Sequence, residues 1–240
     1  RNVPAALLAA YNFTVSVPGD AGIGSGRIVV RDTGNVSVFV TMPDGTKKLD
    51  SSVLEQDAEG FKVPIYVPFL QNQGAVSGVV ILPQQSTDPV TGEIIWFKPA
   101  DPNRAQNPEG WPGGMDLAIV GSRYEAPLAR SSAAALLASS AEAAPKSHLA
   151  TVVLSGGGLP TPLEIPTLIA NNTLVPLPGS PIRRFSLSIN PKNGKFSGEF
   201  KDPVTRKSNP IKGVVLQLQK VSAGYFLGAL QSGAVVFSRN

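Results

Sequence analysis

Cysteine is absent from the 240 residues, which removes a disulfide framework and any thiolate metal site. Histidine occurs once, at His148, so a histidine-based triad or multi-histidine metal centre is excluded unless that residue serves alone. Its position at the start of an apparent strand reads as that of an ordinary surface histidine. Charge is sparse too: Asp, Glu, Lys and Arg make up 16%, well short of the usual share of roughly a quarter. A surface with so few charges must rely on Ser, Thr, Asn, Gln and Gly, as many secreted β proteins do. No apolar run of about 18 residues occurs, so no helix is expected to cross a membrane.

Several catalytic signatures are missing as well. There is no G-x-S-x-G elbow; Gly22 to Gly26 (GIGSG) has the glycines without the spacing and reads as a flexible turn. GSGRIVV lies between strands and lacks both the Lys-Ser/Thr pair and a following helix, so it is no phosphate loop. The glycines of SGGGLP, from Ser155, run into a proline and form another turn. The net charge is +4 and the sequence pI about 9.4, but the basic residues are scattered. The densest pieces are Lys47 with Lys48, Arg183 with Arg184, and the group Lys201, Arg206, Lys207 and Lys212. None forms a stripe interleaved with aromatics, so no nucleic-acid partner is expected. These residues read as solvated strand faces and hairpin tips.

What the chain does have is alternation. In YNFTVSV, Phe13, Val15 and Val17 share one face while Asn12, Thr14 and Ser16 share the other, the period of a half-buried strand. VPAALLAA before it reads as a short helical turn or a lead-in strand. Strands follow at Arg27 to Arg31, in VSVFVTM and, more weakly, at Lys47 to Leu54, with the turn Pro43 to Gly45 between the last two. FKVPIYVPFL alternates strictly from Phe61 to Phe69, with Pro64 and Pro68 on the opposite face. Proline cannot donate to a ladder, so this segment belongs at an edge or carries bulges. GAVSGVVIL and EIIWFK continue the pattern; Pro99 to Gly114 reads as a long loop, and Asp116 to Gly121 as a strand. Residues 128–147 form an Ala/Ser-rich connection, a surface loop that is at most partly helical. Strands return at Leu149 to Leu154, at Leu163 to Ala170 and from Ile182 onward.

The closing stretch, Phe185 to Ser238, resembles an earlier one. GNVSVFV, the PDGTKK turn, FKVPIYVPF, GAVSGVVIL and GEIIWF can be laid against GKFSGEF, the KDPVTRK turn, IKGVVLQLQ, GYFLGAL and SGAVVFS, which suggests an internal duplication. Glycines inside strands, at Gly78, Gly198, Gly213 and Gly228, suggest strong coiling or close backbone approach. The expected fold is all-β: an antiparallel barrel or closed sandwich of two pseudo-repeated meander halves with at most one short helix. One β domain is expected over residues 1–240, its first half about 11–127 and its second 148–238, with the two meanders packing their apolar faces together.

The set DGT (Asp44 to Thr46), FKVPIYVPFLQNQGAVSG (Phe61 to Gly78), GEIIWFKP (Gly92 to Pro99), GSRYEAP (Gly121 to Pro127), GKFSGEF, KGVVLQLQ and GYFLGALQSGAVVFS resembles a C-terminal β module of large secreted or surface proteins. Such modules are associated with bacteria of the Planctomycetes and Verrucomicrobia type. The resemblance implies a β fold, an extracellular or cell-surface location and origin in a longer precursor, with which a start at Arg1 rather than Met agrees. It implies no catalytic residues.

Three functional readings remain. The leading one is a non-enzymatic structural or adhesive module that caps, attaches or assembles a larger cell-surface structure. Its partners would be other surface proteins or copies of itself paired through edges such as FKVPIYVPF. The second is a carbohydrate-binding module, for which Trp111, Tyr66 and Tyr124 offer flat rings with polar edges that can stack on sugars. Trp96 sits in an apolar strand and reads as core, and Trp111 could instead cap an open barrel end. The third is a glycosidase or peptidase, with Asp101, Glu109 and Asp116 as carboxylates around the Trp111 loop. No cofactor is expected, although Asp101, Asn103, Asn107 and Glu109 offer hard oxygen ligands for calcium without EF-hand spacing.

Overall fold

The computed structural model describes residues 3–16, 22–58, 60–103, 106–127, 147–182 and 184–239. A single 3-10 turn at Ala5–Leu7 precedes nine strands: β1 (Ala10–Ser16), β2 (Ile23–Val30), β3 (Asn35–Thr41), β4 (Lys47–Val53), β5 (Glu55–Asp57), β6 (Gly60–Phe69), β7 (Gly74–Leu82), β8 (Val90–Lys98) and β9 (Trp111–Tyr124). They form one antiparallel sheet in the order β4-β3-β2-β1-β9-β8-β7-β6-β5. Eight more follow: β10 (Ser147–Gly156), β11 (Leu163–Ala170), β12 (Thr173–Pro176), β13 (Phe185–Asn190), β14 (Lys195–Lys201), β15 (Ser208–Leu216), β16 (Val221–Leu227) and β17 (Ser232–Arg239). These close into a barrel, β10 pairing with β17. The all-β, two-half expectation is met. The Ala/Ser-rich connection falls outside the described residues apart from Ser147.

Each half curls around its own interior. Phe13, Val15, Ile28, Val63, Val80 and Trp96 belong to one buried cluster, and Val152, Leu154, Ile165, Phe200, Ile211 and Phe226 to another. The halves therefore do not pack their apolar faces together as expected. Eight strands are enough to close a sheet on a core of side chains, so each meander buries its inward-facing positions without the other. Among the described residues no helix is long and apolar enough to cross a membrane.

The first barrel differs from the second at one seam. β6 pairs with β7 from Phe61 to Phe69, but on its other side only Gly60 to Lys62 meet β5. The rest of that side faces β4, where the Ser52 hydroxyl donates to the Pro64 carbonyl. Pro64 and Pro68 thus occupy the side with no ladder, the edge position expected of them. β4 lies along part of this edge of FKVPIYVPF without pairing to it.

The topology also changes how the halves compare. Both are meanders whose first and last strands pair, β1 with β9 and β10 with β17. Counting back from the ends matches β9 with β17, β8 with β16, β7 with β15 and β6 with β14. The shared motifs instead fall on β6 and β15 and on β8 and β17, one strand out of step. Neighbouring strands run in opposite directions, so that pairing superposes no common path, although the glycine-and-apolar rhythm is shared.

Candidate functional site

β1 is buried on both faces rather than half-buried, because its outer side meets the second barrel. Asn12, fully buried, sits there. Its Nδ2 donates to the carbonyls of Asn193, at 2.9 Å, and Val215, at 3.3 Å, while its Oδ1 accepts from Arg27 Nη1 at 2.9 Å. The same Arg27 nitrogen donates to the Asn193 carbonyl at 2.8 Å. The Arg27 guanidinium lies 5.2 Å from the centre of the Tyr124 ring, close enough for a cation–π contact. The Tyr124 hydroxyl donates to the Pro191 carbonyl. Burial pushes the Tyr124 phenol up to about 12, against the opposing pull of Arg27 and of the Gly194 backbone. Farther along, Gln217 accepts from the Glu125 N–H at 2.7 Å and donates to the Glu125 carbonyl at 2.9 Å, and Gln219 donates to the Gly121 carbonyl at 2.8 Å. The buried hydrogen bonds of Asn12, with those of Arg27 and Tyr124 beside it, favour one arrangement of the two barrels.

Beside this joint the outer faces of β2, β3 and β4 and those of β13, β14 and β15 diverge around a cleft of about 460 Å³. Its walls carry Arg27, Lys47, Lys195 and Lys212 and, among the described residues, no carboxylate. Strand register explains the grouping. Arg27 pairs with Phe39 and Lys47 with Thr41 on the first barrel, while Lys212 pairs with Ser197 on the second. The Lys195 ammonium sits 5.3 Å from the centre of the Phe39 ring, across the gap. Burial, with Arg27 and Lys47 adding, holds the Lys195 pKa below the usual lysine value. That of Lys212 is lowered first by the close approach of the Lys47 side chain, then by burial and by the Lys47 charge. Among the described residues these like charges are gathered with no carboxylate on the cleft walls to oppose them.

Two of these cations were visible in the sequence as members of basic pieces, Lys47 and Lys212, and were read as solvated faces. No spacing along the chain could show that β4 and β15 face one another across two barrels. Asn12 gave no separate signal, since with Thr14 and Ser16 it makes up the polar face of an alternating strand.

The residues singled out from the sequence go to separate places. Trp111 is not in a loop: β9 starts there, paired with Lys98 across a bulge. It is half-buried against Trp96, with ring centroids 4.5 Å apart. Tyr66 projects outward, 65% exposed. Tyr124 lies in the joint, at the far end of β9 from Trp111, about 40 Å along the strand. The rings therefore form no common platform. Asp101 accepts from the Asn103 N–H at 3.0 Å, and the backbone N–H of Asn107 donates to the Leu230 carbonyl at 3.1 Å. Glu109 lies in the turn just before β9. Among the described residues no three His, Asp or Glu side chains gather as a metal site. His148 is buried rather than at the surface. It shares strand parity with the inward residues Ala150, Val152 and Leu154, while Leu149 points out.

A buried ion pair was not foreseen. Lys98 donates to Asp44 Oδ2 at 2.9 Å and to the Gln106 carbonyl at 2.8 Å, with Lys98 and Asp44 side chains 1% and 3% exposed. The Lys98 ammonium lies 5.8 Å from the Trp96 ring and 5.5 Å from that of Trp111. Asp44 also holds its turn, accepting the Thr46 N–H at 2.9 Å, and Gly45 there has a φ of +84°.

No family model matches the sequence, and no curated protein matches it. Among solved structures, a double mutant of the vaccine antigen Transferrin Binding Protein B from Haemophilus parasuis Hp5 is similar at 10% identity and a TM-score of 0.27. The match covers 90% of this chain and 53% of that one, so the chain spans about half the length of that structure.

Proposed function

We propose that the chain is a non-enzymatic extracellular module, structural or adhesive, that attaches or assembles a larger cell-surface structure. The joint carries this reading. Asn12, Arg27, Tyr124, Asn193 and Gln217 lock two separately filled barrels into one piece. Side chains occupy both interiors, which leaves outer strand faces and the junction to meet partners. Rigid presentation of such faces suits attachment, since preorganisation lowers the ordering cost of binding. Resemblance to the C-terminal modules of large surface proteins points the same way.

The test is to incubate the purified chain with polysaccharide and peptide panels and analyse the products by mass spectrometry. Unaltered panels are the expected result. Turnover of a defined substrate, lost when one acidic residue such as Glu109 or Asp116 is replaced, would overturn the reading in favour of a hydrolase.

A further inference from the structure

The cleft between the barrels gathers more positive charge than the fold uses. Arg27 spends hydrogen bonds on Asn12 and Asn193, but Lys47, Lys195 and Lys212 form no salt bridge among the described residues. Holding three ammonium groups and a guanidinium around one hollow opposes folding, because each raises the cost of charging its neighbours. The arrangement becomes favourable once several negative charges enter together. At about 460 Å³ the cleft falls within the range of ligand clefts, roughly 300–1,000 Å³.

The remaining wall groups narrow the ligand class. Ser25, Thr41, Ser188, Asn190 and Ser197 supply hydroxyls and an amide of the kind that hydrogen-bond sugar hydroxyls. The described walls offer a single exposed aromatic ring, Phe39, too little for successive bases to stack on. Phe196 is buried in the core of the second barrel, and Phe39 already lies under the Lys195 ammonium. Single-stranded nucleic acid is held largely by such stacking, so the walls favour a charged glycan.

We propose that this cleft binds a sulfated polysaccharide, with Lys47, Lys195 and Lys212 taking the sulfate oxygens and the hydroxyl-bearing walls taking the sugar. Sulfate esters stay ionised wherever lysine is protonated, and each offers several acceptors to an ammonium. The proposal rests on the reading of the chain as an attachment module and names a ligand for it.

The probe is a size-defined heparin oligosaccharide, titrated calorimetrically into the full chain at low and at physiological salt. Binding should weaken with salt and vanish for the same oligosaccharide after desulfation. Lys195→Gln and Lys212→Gln should each lower affinity roughly tenfold or more, the scale of one charge-assisted hydrogen bond. Lys48→Gln, adjacent in sequence but not on the cleft wall, should leave binding unchanged. Thermal melts confirm folding, since relief of repulsion should hold or raise the midpoint of the two cleft variants. The assignment is overturned by affinity that ignores Lys195 and Lys212, by an oligonucleotide binding as tightly as heparin, by free sulfate competing as well as the polymer, or by no binding at all. None of these touches the non-enzymatic reading, which would instead fall if the heparin were cleaved.

Discussion

Asn12 and Asn193, 181 positions apart in the chain, are joined by a hydrogen bond of 2.9 Å that spans the two barrels. Asn12 stands outside the barrel that its strand helps to build, yet it is fully buried. Asn12→Ala removes two donations and leaves the Val215 carbonyl and one Arg27 N–H without these partners. A cost of about 1–3 kcal/mol is expected for such orphaned groups. Both tryptophans lie in the first barrel, so their fluorescence reports that barrel while far-ultraviolet circular dichroism reports both. In urea the two signals should coincide for the parent chain and separate for Asn12→Ala. Coincident transitions in the variant would show that the joint does not couple the barrels.

The Lys98–Asp44 pair predicts an asymmetric response. Lys98→Met alone strands a buried carboxylate and should cost about 3–5 kcal/mol. Combining it with Asp44→Asn should recover most of that loss, since two neutral groups replace two charges and the amide oxygen can still hold the Thr46 N–H. Urea unfolding of both single variants and the double variant measures the coupling. Additive effects would mean that the two residues act independently despite their 2.9 Å separation.

Trp111→Ala separates capping from ligand binding. Removing the ring uncovers Trp96 and Lys98, and the loss should approach the lower end of the roughly 3–5 kcal/mol range seen for buried aromatics. Fluorescence of the remaining Trp96 should shift to the red as water reaches it. Binding to a polysaccharide array should not change. An array signal abolished in a variant of unaltered stability would restore Trp111 as a ligand contact.

Why the barrels were legible and the cleft was not follows from the range of each signal. Alternation in FKVPIYVPF or LEIPTLIA is written in adjacent residues, so strands and their inward faces could be read directly. The prolines of β6 even marked the unladdered seam, and Asp44 and Gly45 their turn. Closure depends on β1 reaching β9 and β10 reaching β17, which local pattern leaves open; a shared rhythm was accordingly set one strand out of step. The cleft is less local still. Lys47 and Lys212 are 165 positions apart by their numbers, and only the docking of two finished barrels makes them neighbours. His148 shows the converse, since its parity with Ala150 and Val152 was present in the sequence and outweighs its position at a strand end.

Gly198 tests the close approach inferred for glycines within strands. A Cβ there would overlap the Ser186 carbonyl oxygen on β13, which stands beside it in the β13–β14 ladder. Gly198→Ala should therefore destabilise by about 1–3 kcal/mol through overpacking. Gly113→Ala is the control: nothing lies within 4 Å of the added carbon, so a change within about 0.5 kcal/mol is expected. Equal urea midpoints for the two variants would remove close packing as the reason for Gly198.

Stability should turn over in the alkaline range. Burial raises Tyr124 and Tyr225 from 10.0 to about 12, with the Asp44 charge adding for Tyr225. Between pH 10 and 12 the folded chain therefore keeps phenolic protons that the unfolded chain loses. With fewer protons bound when unfolded, stability must fall as pH rises through that window. Lys195 and Lys212 act oppositely. Their lowered values mean that the folded state sheds protons first, so their contribution grows as pH climbs toward the ordinary lysine value of 10.5. Urea midpoints should rise up to about pH 10 and decline beyond it, as tyrosinate absorbance appears. Tyr225→Phe should flatten the decline, while Lys195→Gln and Lys212→Gln together should flatten the rise. An unchanged profile in the lysine double variant would mean that the cleft charges do not oppose folding.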